Sequence, residues 1–377
     1  MSVRTRLAVL PAISGSVRVE EGVLPDPGPH QAVVAHFAAG VCHSNLPRMY
    51  GARPMDGTLG HESTGVVIAT GRDVTAVREG DRVVVTWVPR FAADGTRRRD
   101  PILIKLPGGR EIQHQGIFTW TEKTVVDEQF LVPLPMDVSP VSAGIIGCAV
   151  ITGAGAVLRS ISLNAGESVA VIGAGGVGLC AIAAARVLGA NPIIAVDLRA
   201  DKLEMARQFG ATHLVNATDV DAVEAIRELT RSATDLDAFG DPVAGVDYAI
   251  DCVGMPATME QIFRAARSMV LGKTTGGTAV LVGVPTSKLE LDPMDFHINT
   301  KKYMGSLAGD CRPDRDIPLY IEWHRRGALN LDALVTRRFS LDEGADALRA
   351  LEAGEVLGRA VIEFDNPEGG SSAAMET

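Results

Sequence analysis

The first 150 residues alternate apolar and polar positions in short runs. Clear examples are residues 31–37, 63–69 and 82–87, and Gly, Pro and Asp separate runs of this kind. Successive side chains of a β-strand point to opposite faces of its sheet, so a period of two predicts strands with one buried face. We therefore expect the chain to be β-rich up to about residue 150.

From residue 151 onward, short apolar strands alternate with helical segments. The predicted strands are residues 168–172, 192–196, 212–216, 246–252 and 278–284. The predicted helices are residues 177–188, 202–209, 219–231 and 258–267. This alternation predicts an α/β protein with a doubly wound parallel sheet. Residues 232–245 predict an exposed loop, and the small polar tail from Asn366 predicts disorder.

Charge and composition exclude several classes of partner. The formal charge is −10, whereas a nucleic-acid surface requires a basic patch. No run approaches the roughly eighteen apolar residues of a membrane span, and the N-terminus lacks the features of a signal peptide. Five cysteines, an odd number, do not suggest a secreted disulfide framework. We therefore predict a cytoplasmic protein with no nucleic-acid partner and no membrane partner.

Two thiols and one imidazole are the candidate metal ligands: Cys42, His61 and Cys148, each with a glycine close by in the sequence. Three protein ligands of this type leave the fourth position of a zinc ion open, as in catalytic zinc sites. The alternative is that they are ordinary core residues, because free cysteine is often a small buried apolar residue. We assign that simpler role to Cys180 and Cys252, and we predict one catalytic zinc.

A glycine-rich turn follows the predicted strand at residues 168–172. It reads Gly173-Ala174-Gly175-Gly176-Val177-Gly178 and opens a helix, which is the context of the dinucleotide-binding fingerprint. Asp197 ends the next strand, where a carboxylate accepts hydrogen bonds from ribose hydroxyls and repels a 2′-phosphate. The pattern predicts NAD rather than NADP, although the nearby Arg199 is a charge that would suit NADP. Zinc and a nicotinamide together suggest hydride transfer between an alcohol and a carbonyl.

These motifs carry a resemblance to a known family. The Cys-His-Ser turn, Gly-His-Glu, Gly-Cys, the glycine turn and Val282-Gly283-Val284-Pro285 resemble zinc-dependent alcohol dehydrogenases of the medium-chain dehydrogenase/reductase family. The resemblance extends from about residue 22 to residue 364. It implies a β-rich, chaperonin-10-like catalytic domain formed by residues 1–150 and 309–377. A Rossmann NAD-binding domain at residues 151–308 would be inserted between those two parts.

The resemblance also implies roles for single residues. Cys42, His61 and Cys148 match the zinc ligands, and Ser44 matches the hydroxyl that takes the proton of the alcohol. Glu62 matches a glutamate behind the metal, and its alternative is a buried ion pair. Trp87 matches the substrate pocket or is a core residue. The residues expected to bind NAD are His43, Thr152, Gly173, Gly175, Gly176, Val177, Gly178, Asp197, Lys202, Val253, Val282, Val284 and Arg359.

The chain departs from the family pattern at three places. No cysteine lies between Cys42 and Cys148, so we expect no second, structural zinc. Asn45 replaces the usual aspartate that orients the zinc histidine; its amide oxygen can accept the imidazole N–H of His61 but brings no charge. Pro47 replaces a histidine of the proton path and cannot carry a proton.

The sequence thus predicts a zinc- and NAD-dependent alcohol dehydrogenase that acts on small alcohols or aldehydes, as a homodimer or homotetramer. Two alternatives within this class are a thiol-linked formaldehyde dehydrogenase and a nicotinoprotein that never releases its cofactor. The alternative outside the class of enzymes is a family member that binds a dinucleotide without catalysing a reaction. An intact set of metal ligands favours the enzyme, but a fold alone does not fix a substrate.

Overall fold

The computed structural model describes residues 3–12, 16–49, 55–90, 101–114 and 116–365, and it divides into two compact units. The first unit consists of Met1–Cys148, Arg312–Glu322 and Leu331–Thr377, and the second of Ala149–Cys311 and Trp323–Asn330. The domain boundaries expected after residues 150 and 308 remain a prediction. The tail from Asn366, expected to be disordered, lies outside the described residues.

The strands and helices of the described residues are numbered in chain order. The strands are β1 Val3–Leu10, β2 Arg18–Leu24, β3 Gln31–Val41, β4 Gly57–Thr58, β5 Ser63–Thr70, β6 Arg82–Val85, β7 Ile102–Lys105, β8 Glu111–His114, β9 Lys123–Asp127, β10 Leu131–Pro133, β11 Val169–Ile172, β12 Ile193–Asp197, β13 His213–Asn216, β14 Tyr248–Asp251, β15 Thr278–Leu281, β16 Lys302–Gly305, β17 Val335–Ser340 and β18 Arg359–Glu363. The α-helices are α1 Pro140–Ala143, α2 Ile151–Gly155, α3 Gly176–Val187, α4 Ala200–Phe209, α5 Ala222–Leu229, α6 Pro256–Ala265, α7 Pro293–Asn299, α8 Pro313–Arg325, α9 Leu331–Leu334 and α10 Gly344–Glu352.

Two mainly antiparallel sheets form the first unit. One has five strands in the order β4-β1-β2-β7-β8, and the other has seven, in the order β10-β6-β5-β3-β18-β17 with β9 also paired to β3. The central strand β3 is buried at nearly every position. It pairs with β18, so that Val41 lies opposite Ala360. The last strand of the chain therefore runs beside the end of β3, where Cys42 follows.

The second unit contains a six-stranded parallel sheet in the order β13-β12-β11-β14-β15-β16. Its strand β11 reads Val-Ala-Val-Ile and is buried at every position, as expected when both faces of a sheet are covered. The chain passes from β11 outward to β13 and then returns to β14 on the other side of β11. Ligands of such sheets bind at the carboxyl ends of the strands beside this reversal of order.

The predicted α/β class, with a parallel doubly wound sheet and a β-rich part, is confirmed. Several elements are shorter than predicted, for identifiable reasons. Helix α5 begins after Asp221, whose carboxylate accepts from the amides of Val223 and Glu224. Strand β15 ends at Leu281 because the next two amides both donate to the carbonyl of Asp251. The strand β16 and the hairpin β7–β8 were not predicted.

The expectation that no apolar stretch approaches a membrane span is wrong. The helical stretch Pro140–Ser160 is long and apolar enough by length and composition, with a mean hydropathy of 2.0. However, 83% of its most apolar window is buried inside the protein. A helix whose whole circumference is apolar is also what a protein core requires. This stretch is therefore a buried core helix.

His36 on β3 is an unusual member of the core of the first unit. It is 1% exposed, and neither ring nitrogen has a hydrogen-bond partner among the described residues. Burial lowers the pKa of His36 to about 3; the peptide group of Thr64 opposes the shift but does not reach hydrogen-bonding geometry. One neighbour is the ring of Phe364, with 5.9 Å between ring centroids. His36 thus behaves as a neutral core residue.

We expect His36→Leu to make the fold less sensitive to acid. The folded pKa lies below the ordinary value of 6.5, so acid protonates the unfolded chain first. Wild-type stability is therefore fully present above about pH 6.5 and is lost as the pH falls toward 3, by on the order of 1.4 kcal/mol per pH unit. Urea unfolding of both proteins between neutral and mildly acidic pH measures this. A pH-independent difference between their free energies of unfolding would contradict it.

Candidate metal centre and dinucleotide turn

The end of β3 positions Cys42. The strand ends at Val41, and a 3-10 helix, His43–Met49, follows Cys42. Within this turn the amide of Asn45 donates to the carbonyl of Cys42 over 3.0 Å. The turn leaves Cys42 buried, Ser44 half-buried and His43 exposed.

Gly60 lets the next candidate ligand, His61, leave the backbone at the end of a tight turn. Gly60 has φ +85°, and a Cβ there would lie 2.3 Å from Thr119 Oγ1 and 2.8 Å from the nitrogen of Trp120. The amides of both residues donate to the carbonyl of Leu59, which fixes the two segments at this distance. Residue 60 therefore has to be glycine, because any side chain would need both a strained φ and a displaced neighbour.

Gly147 has a similar function for Cys148, which belongs to the helical turn Ile146–Val150. The hydroxyl of Thr86 donates to the carbonyl of Gly147 over 2.9 Å. A Cβ on residue 147 would lie 2.2 Å from the carbonyl oxygen of Val85. The absence of a side chain thus allows the helical turn to pack directly against the end of β6.

These three local arrangements bring four possible ligands together. One ligand atom from each of Cys42, His61, Glu62 and Cys148 lies within 4.8 Å of all the others. Among the residues that the structure describes, this is the one group of at least three His, Cys, Asp or Glu side chains with such spacing. All four belong to the first unit.

The electrostatics of the cluster suit a cation. A hydrogen bond with Cys148 lowers the pKa of Cys42 well below its ordinary value, and the same bond raises the pKa of Cys148. The interaction between the two sulfurs thus favours the ionised form of Cys42 and disfavours that of Cys148. Burial lowers the pKa of His61, but the hydrogen bond and the charge of Cys42 outweigh burial, and the net pKa is raised. Two sulfurs and an imidazole are the donors that zinc prefers, so the residues fit that metal.

Glu62 is held by a buried ion pair. Its Oε1 lies 2.7 Å from a terminal guanidinium nitrogen of Arg359, and the two side chains are 0% and 5% exposed. Gly40 makes room for the carboxylate, since a Cβ there would lie 2.4 Å from its carboxyl carbon. Burial raises the pKa of Glu62, and the positive charge of Arg359 opposes the rise.

The position of Arg359 was not anticipated from the sequence. It opens β18, and the pairing of β18 with β3 brings it beside the candidate ligands, where its charge also helps to lower the pKa of Cys42. Its Nε has no hydrogen-bond partner among the described residues. Binding of the cofactor pyrophosphate by Arg359 remains a prediction.

Asn45 does not orient His61 as we expected. The side chain is 1% exposed, and within the described part of the chain neither its oxygen nor its nitrogen has a hydrogen-bond partner. The imidazole instead interacts with the sulfur of Cys42, which raises the pKa of His61. The side chain of Pro47 lies outside the described part of the structure.

Trp87 is half-buried and packs against an apolar cluster of the first unit that includes Val34 and Val85. The core-packing alternative therefore has a structural basis. A role in a substrate pocket remains a prediction.

The glycine turn of the second unit has the shape that phosphate binding requires. Gly173 follows β11 with φ +95°, and a Cβ on Gly178 would lie 1.9 Å from the carbonyl oxygen of Gly173. By contrast, a Cβ on Gly175 would meet nothing within 4 Å. Gly175 precedes α3, and no side chain caps the helix. The free amides at this helix N-terminus can therefore receive a phosphate group.

Asp197 lies beside this turn at the end of β12. Its Oδ2 accepts from the amide of Ala174 over 2.8 Å, and its Oδ1 accepts from the amide of Arg199 over 3.1 Å. The guanidinium of Arg199 pairs with Asp201, with 3.0 Å between Nε and Oδ1. The positive charge of Arg199, which would suit a 2′-phosphate, is thus already paired with Asp201. Lys202 is half-buried in the first turn of α4.

Apolar residues predicted to contact the cofactor lie after the carboxyl ends of β14 and β15. Val253 and Val284 are largely exposed, and Val282 is half-buried. Asp251, which we had not singled out, positions Val253: its Oδ1 accepts from the amide of that residue over 2.8 Å. Exposed valines around a phosphate-binding turn suit an apolar ligand surface.

Thr152 and Val177, the two residues expected at the nicotinamide, come from neighbouring helices of the second unit, and both are half-buried. Helices α2 and α3 approach closely at Gly153, where a Cβ would lie 2.1 Å from the carbonyl oxygen of Val177. The structure thus gives both residues partly exposed positions, and their contact with a nicotinamide remains a prediction.

Comparisons with known proteins agree with this arrangement. Residues 28–136 match the alcohol dehydrogenase GroES-like domain, and residues 176–325 match the zinc-binding dehydrogenase family. An alcohol dehydrogenase class-3 of Cereibacter sphaeroides is 29% identical over 96% of this chain and 100% of its own length. An S-(hydroxymethyl)glutathione dehydrogenase of Paracoccus denitrificans is 28% identical over 95% of this chain and 100% of its own.

Solved structures show the same fold. The benzyl alcohol dehydrogenase of Acinetobacter calcoaceticus superposes with a TM-score of 0.81 and 27% identity, over 96% of this chain and 100% of its own. Taken together, the β-rich unit, the parallel sheet and the donor cluster define a metal-dependent oxidoreductase. The chain belongs to the zinc-binding alcohol dehydrogenases of the medium-chain dehydrogenase/reductase family. It is accordingly a zinc-dependent dehydrogenase of small-molecule substrates.

Removal of Arg359 should destabilise the first unit strongly. Arg359→Met leaves Glu62 buried without a counter-ion, which typically costs about 3–5 kcal/mol of unfolding free energy. The double variant Glu62→Gln/Arg359→Met should lose less unfolding free energy than the two single variants lose together. Arg338→Met is a matched control, because Arg338 forms an exposed 3.3 Å pair with Glu363 and should cost about 0–1 kcal/mol. Urea unfolding measures these losses, and equal losses of unfolding free energy in Arg359→Met and Arg338→Met would contradict the prediction.

Proposed function

We propose that the protein is a zinc- and NAD-dependent alcohol dehydrogenase that interconverts an alcohol with an aldehyde or ketone by hydride transfer. The observation that carries the proposal is the buried cluster of two thiols, an imidazole and a carboxylate within 4.8 Å. When bound, zinc supplies a Lewis acid that lowers the pKa of an alcohol, and NAD supplies the hydride acceptor.

The residues of the chain have separate tasks in this proposal. Cys42, His61 and Cys148 hold the metal, and the ion pair with Arg359 keeps the Glu62 carboxylate beside them. The half-buried hydroxyl of Ser44 accepts the proton of the alcohol and passes it outward. The glycine turn binds the pyrophosphate, and Asp197 accepts hydrogen bonds from the adenosine ribose.

The relatives favour two substrate classes. Primary alcohols, including aromatic ones, follow from the similarity to benzyl alcohol dehydrogenase. A thiol adduct of formaldehyde is the second candidate, supported by the names of relatives at 28–29% identity. A panel of ethanol, benzyl alcohol, a secondary alcohol and formaldehyde mixed with glutathione, each with NAD, separates them. Release of tightly bound NAD only on denaturation would instead identify a nicotinoprotein, and no reduction of cofactor in any arm would favour a non-catalytic module.

We propose a single zinc per chain, in a cytoplasmic homodimer or homotetramer. The basis is one complete ligand cluster in the described structure and the absence of cysteine between Cys42 and Cys148. Elemental analysis should give one zinc per chain for the wild type, and Cys148→Ala should lose both the zinc and alcohol oxidation. Cys180→Ala, which changes a buried cysteine outside the cluster, should keep both. Two tightly bound zinc ions per wild-type chain would refute the assignment.

Asp197 should determine the choice of cofactor. Asp197→Ala removes the ribose acceptor and the charge that repels a 2′-phosphate, so kcat/KM for NAD should fall by the equivalent of about 1.5–3 kcal/mol. The ratio of kcat/KM with NAD to kcat/KM with NADP should fall at the same time. Glu204→Ala is the control, since it removes a carboxylate of α4 that pairs with Arg207 and leaves the pair between Arg199 and Asp201 in place. A wild type that prefers NADP, or an unchanged ratio in Asp197→Ala, would show that the assignment is wrong.

A further inference from the structure

A polar cavity lies on the second unit, away from the carboxyl ends of its strands. It has a volume of about 430 Å³ and lies among α5, the end of α6 and α7. Val223 is its one apolar lining residue, and four of the others are cations: Arg227, Arg231, Arg264 and Lys301. The proposed alcohol dehydrogenase reaction makes no use of this cavity.

Lys301 is the most buried of these cations. Its side chain is 2% exposed, and its ammonium donates to Asp295 Oδ2 over 2.7 Å and to the carbonyl of Phe263 over 3.2 Å. Burial lowers the pKa of Lys301, and the charges of Arg227 and Arg264 lower it further against the effect of Asp295. The positive groups therefore act on one another across the cavity.

Arg227 and Arg264 have no counter-ion of their own. Neither guanidinium group forms an ion pair or a hydrogen bond with any other residue in the described ranges, whereas Arg231 pairs with Glu228 over 3.0 Å. The carboxylate of Asp295 is already bound by Lys301 and by Asn299, whose Nδ2 donates over 2.6 Å. The lining also contains the carboxylates of Glu224 and Asp237, but neither forms an ion pair with Arg227 or Arg264. Two unpaired guanidinium groups thus border a polar cavity, in a chain whose net charge is −10.

One buried acceptor in the cavity is also unused. Asn299 Oδ1 has no hydrogen-bond donor among the described residues, and Asn299 lines the cavity. Buried polar atoms normally have a partner, so an orphan in a cavity wall indicates a missing donor. The cavity thus offers N–H donors from four cations against three carboxylates, and one unused buried acceptor for an O–H group.

We propose that this cavity binds the phosphate group of a small soluble phosphate monoester that also carries hydroxyl groups. Guanidinium groups match phosphate oxygens in paired, charge-assisted hydrogen bonds, here from Arg227 and Arg264. A hydroxyl of the ligand supplies the donor for Asn299 Oδ1. The volume falls within the range of about 300–1,000 Å³ that is usual for small-molecule sites and exceeds the needs of orthophosphate alone.

Calorimetric titration of the full-length, zinc-loaded protein at constant ionic strength tests the proposal, with glycerol 3-phosphate, orthophosphate and acetate as probes. Glycerol 3-phosphate should bind saturably and more tightly than orthophosphate, and acetate should not bind. Arg227→Gln and Arg264→Gln should each lower the affinity for glycerol 3-phosphate by about tenfold or more. Glu224→Gln, which removes a negative charge from the cavity wall, should strengthen it.

Arg207→Gln is the matched control, because it removes an exposed cation that pairs with Glu204 on α4. It should leave the affinity unchanged, and circular dichroism should show native folding for every variant. Saturating NAD separates this site from the glycine turn: phosphate binding should persist in its presence. No saturable binding, or equal affinities in the wild type and both cavity variants, would overturn the proposal. The variant comparison is decisive even for a protein that fails to oxidise alcohols.

Discussion

The buried pair between Glu62 and Arg359 is the interaction on which the first unit depends most. Removing an isolated carboxylate from water is costly, and a hydrogen-bonded arginine is what makes it tolerable. Arg359 also lowers the pKa of Cys42, so a single guanidinium acts on two acidic groups. The donor cluster can therefore be assembled before a metal arrives, because the carboxylate of Glu62 already has a partner.

Close backbone approach is the second constraint on the cluster. Gly40 leaves space for the carboxylate of Glu62, Gly60 permits the turn before His61, and Gly147 lets the Cys148 segment contact β6. Each glycine removes a clash that lies under 3 Å: with backbone atoms at Gly60 and Gly147, and with the carboxylate of Glu62, which Arg359 holds, at Gly40. The geometry of the donors is thus determined as much by missing side chains as by the ligands themselves.

Local signals explain what could be predicted from the sequence. The period-two runs and the strand–turn–helix around Gly173 depend on neighbouring residues, and so the fold class and the phosphate turn were predicted correctly as structure. The place of Arg359 depends on the pairing of β18 with β3, and no local pattern encodes that pairing. The acceptor role of Asp251 likewise follows from where the chain bends after β14.

Asn45 shows a different limit of prediction. Its position in the sequence suggested a hydrogen bond to His61, but the imidazole has the sulfur of Cys42 as a competing partner. The outcome depends on relative acceptor strength inside a buried cluster, which a motif does not express. The apolar stretch Pro140–Ser160 is a related case, since composition alone does not distinguish a core helix from a membrane helix.

The pairing of β18 with β3 has a consequence for folding during synthesis. Glu62 and Arg359 are 297 positions apart, and the whole second unit is encoded between them. Synthesis proceeds from the N-terminus, so Glu62 leaves the ribosome long before Arg359 has been added to the chain. The second unit can complete its sheet in that interval, whereas the first must wait until β18 has been synthesised. The metal-binding unit, although it begins first, is the last to be finished.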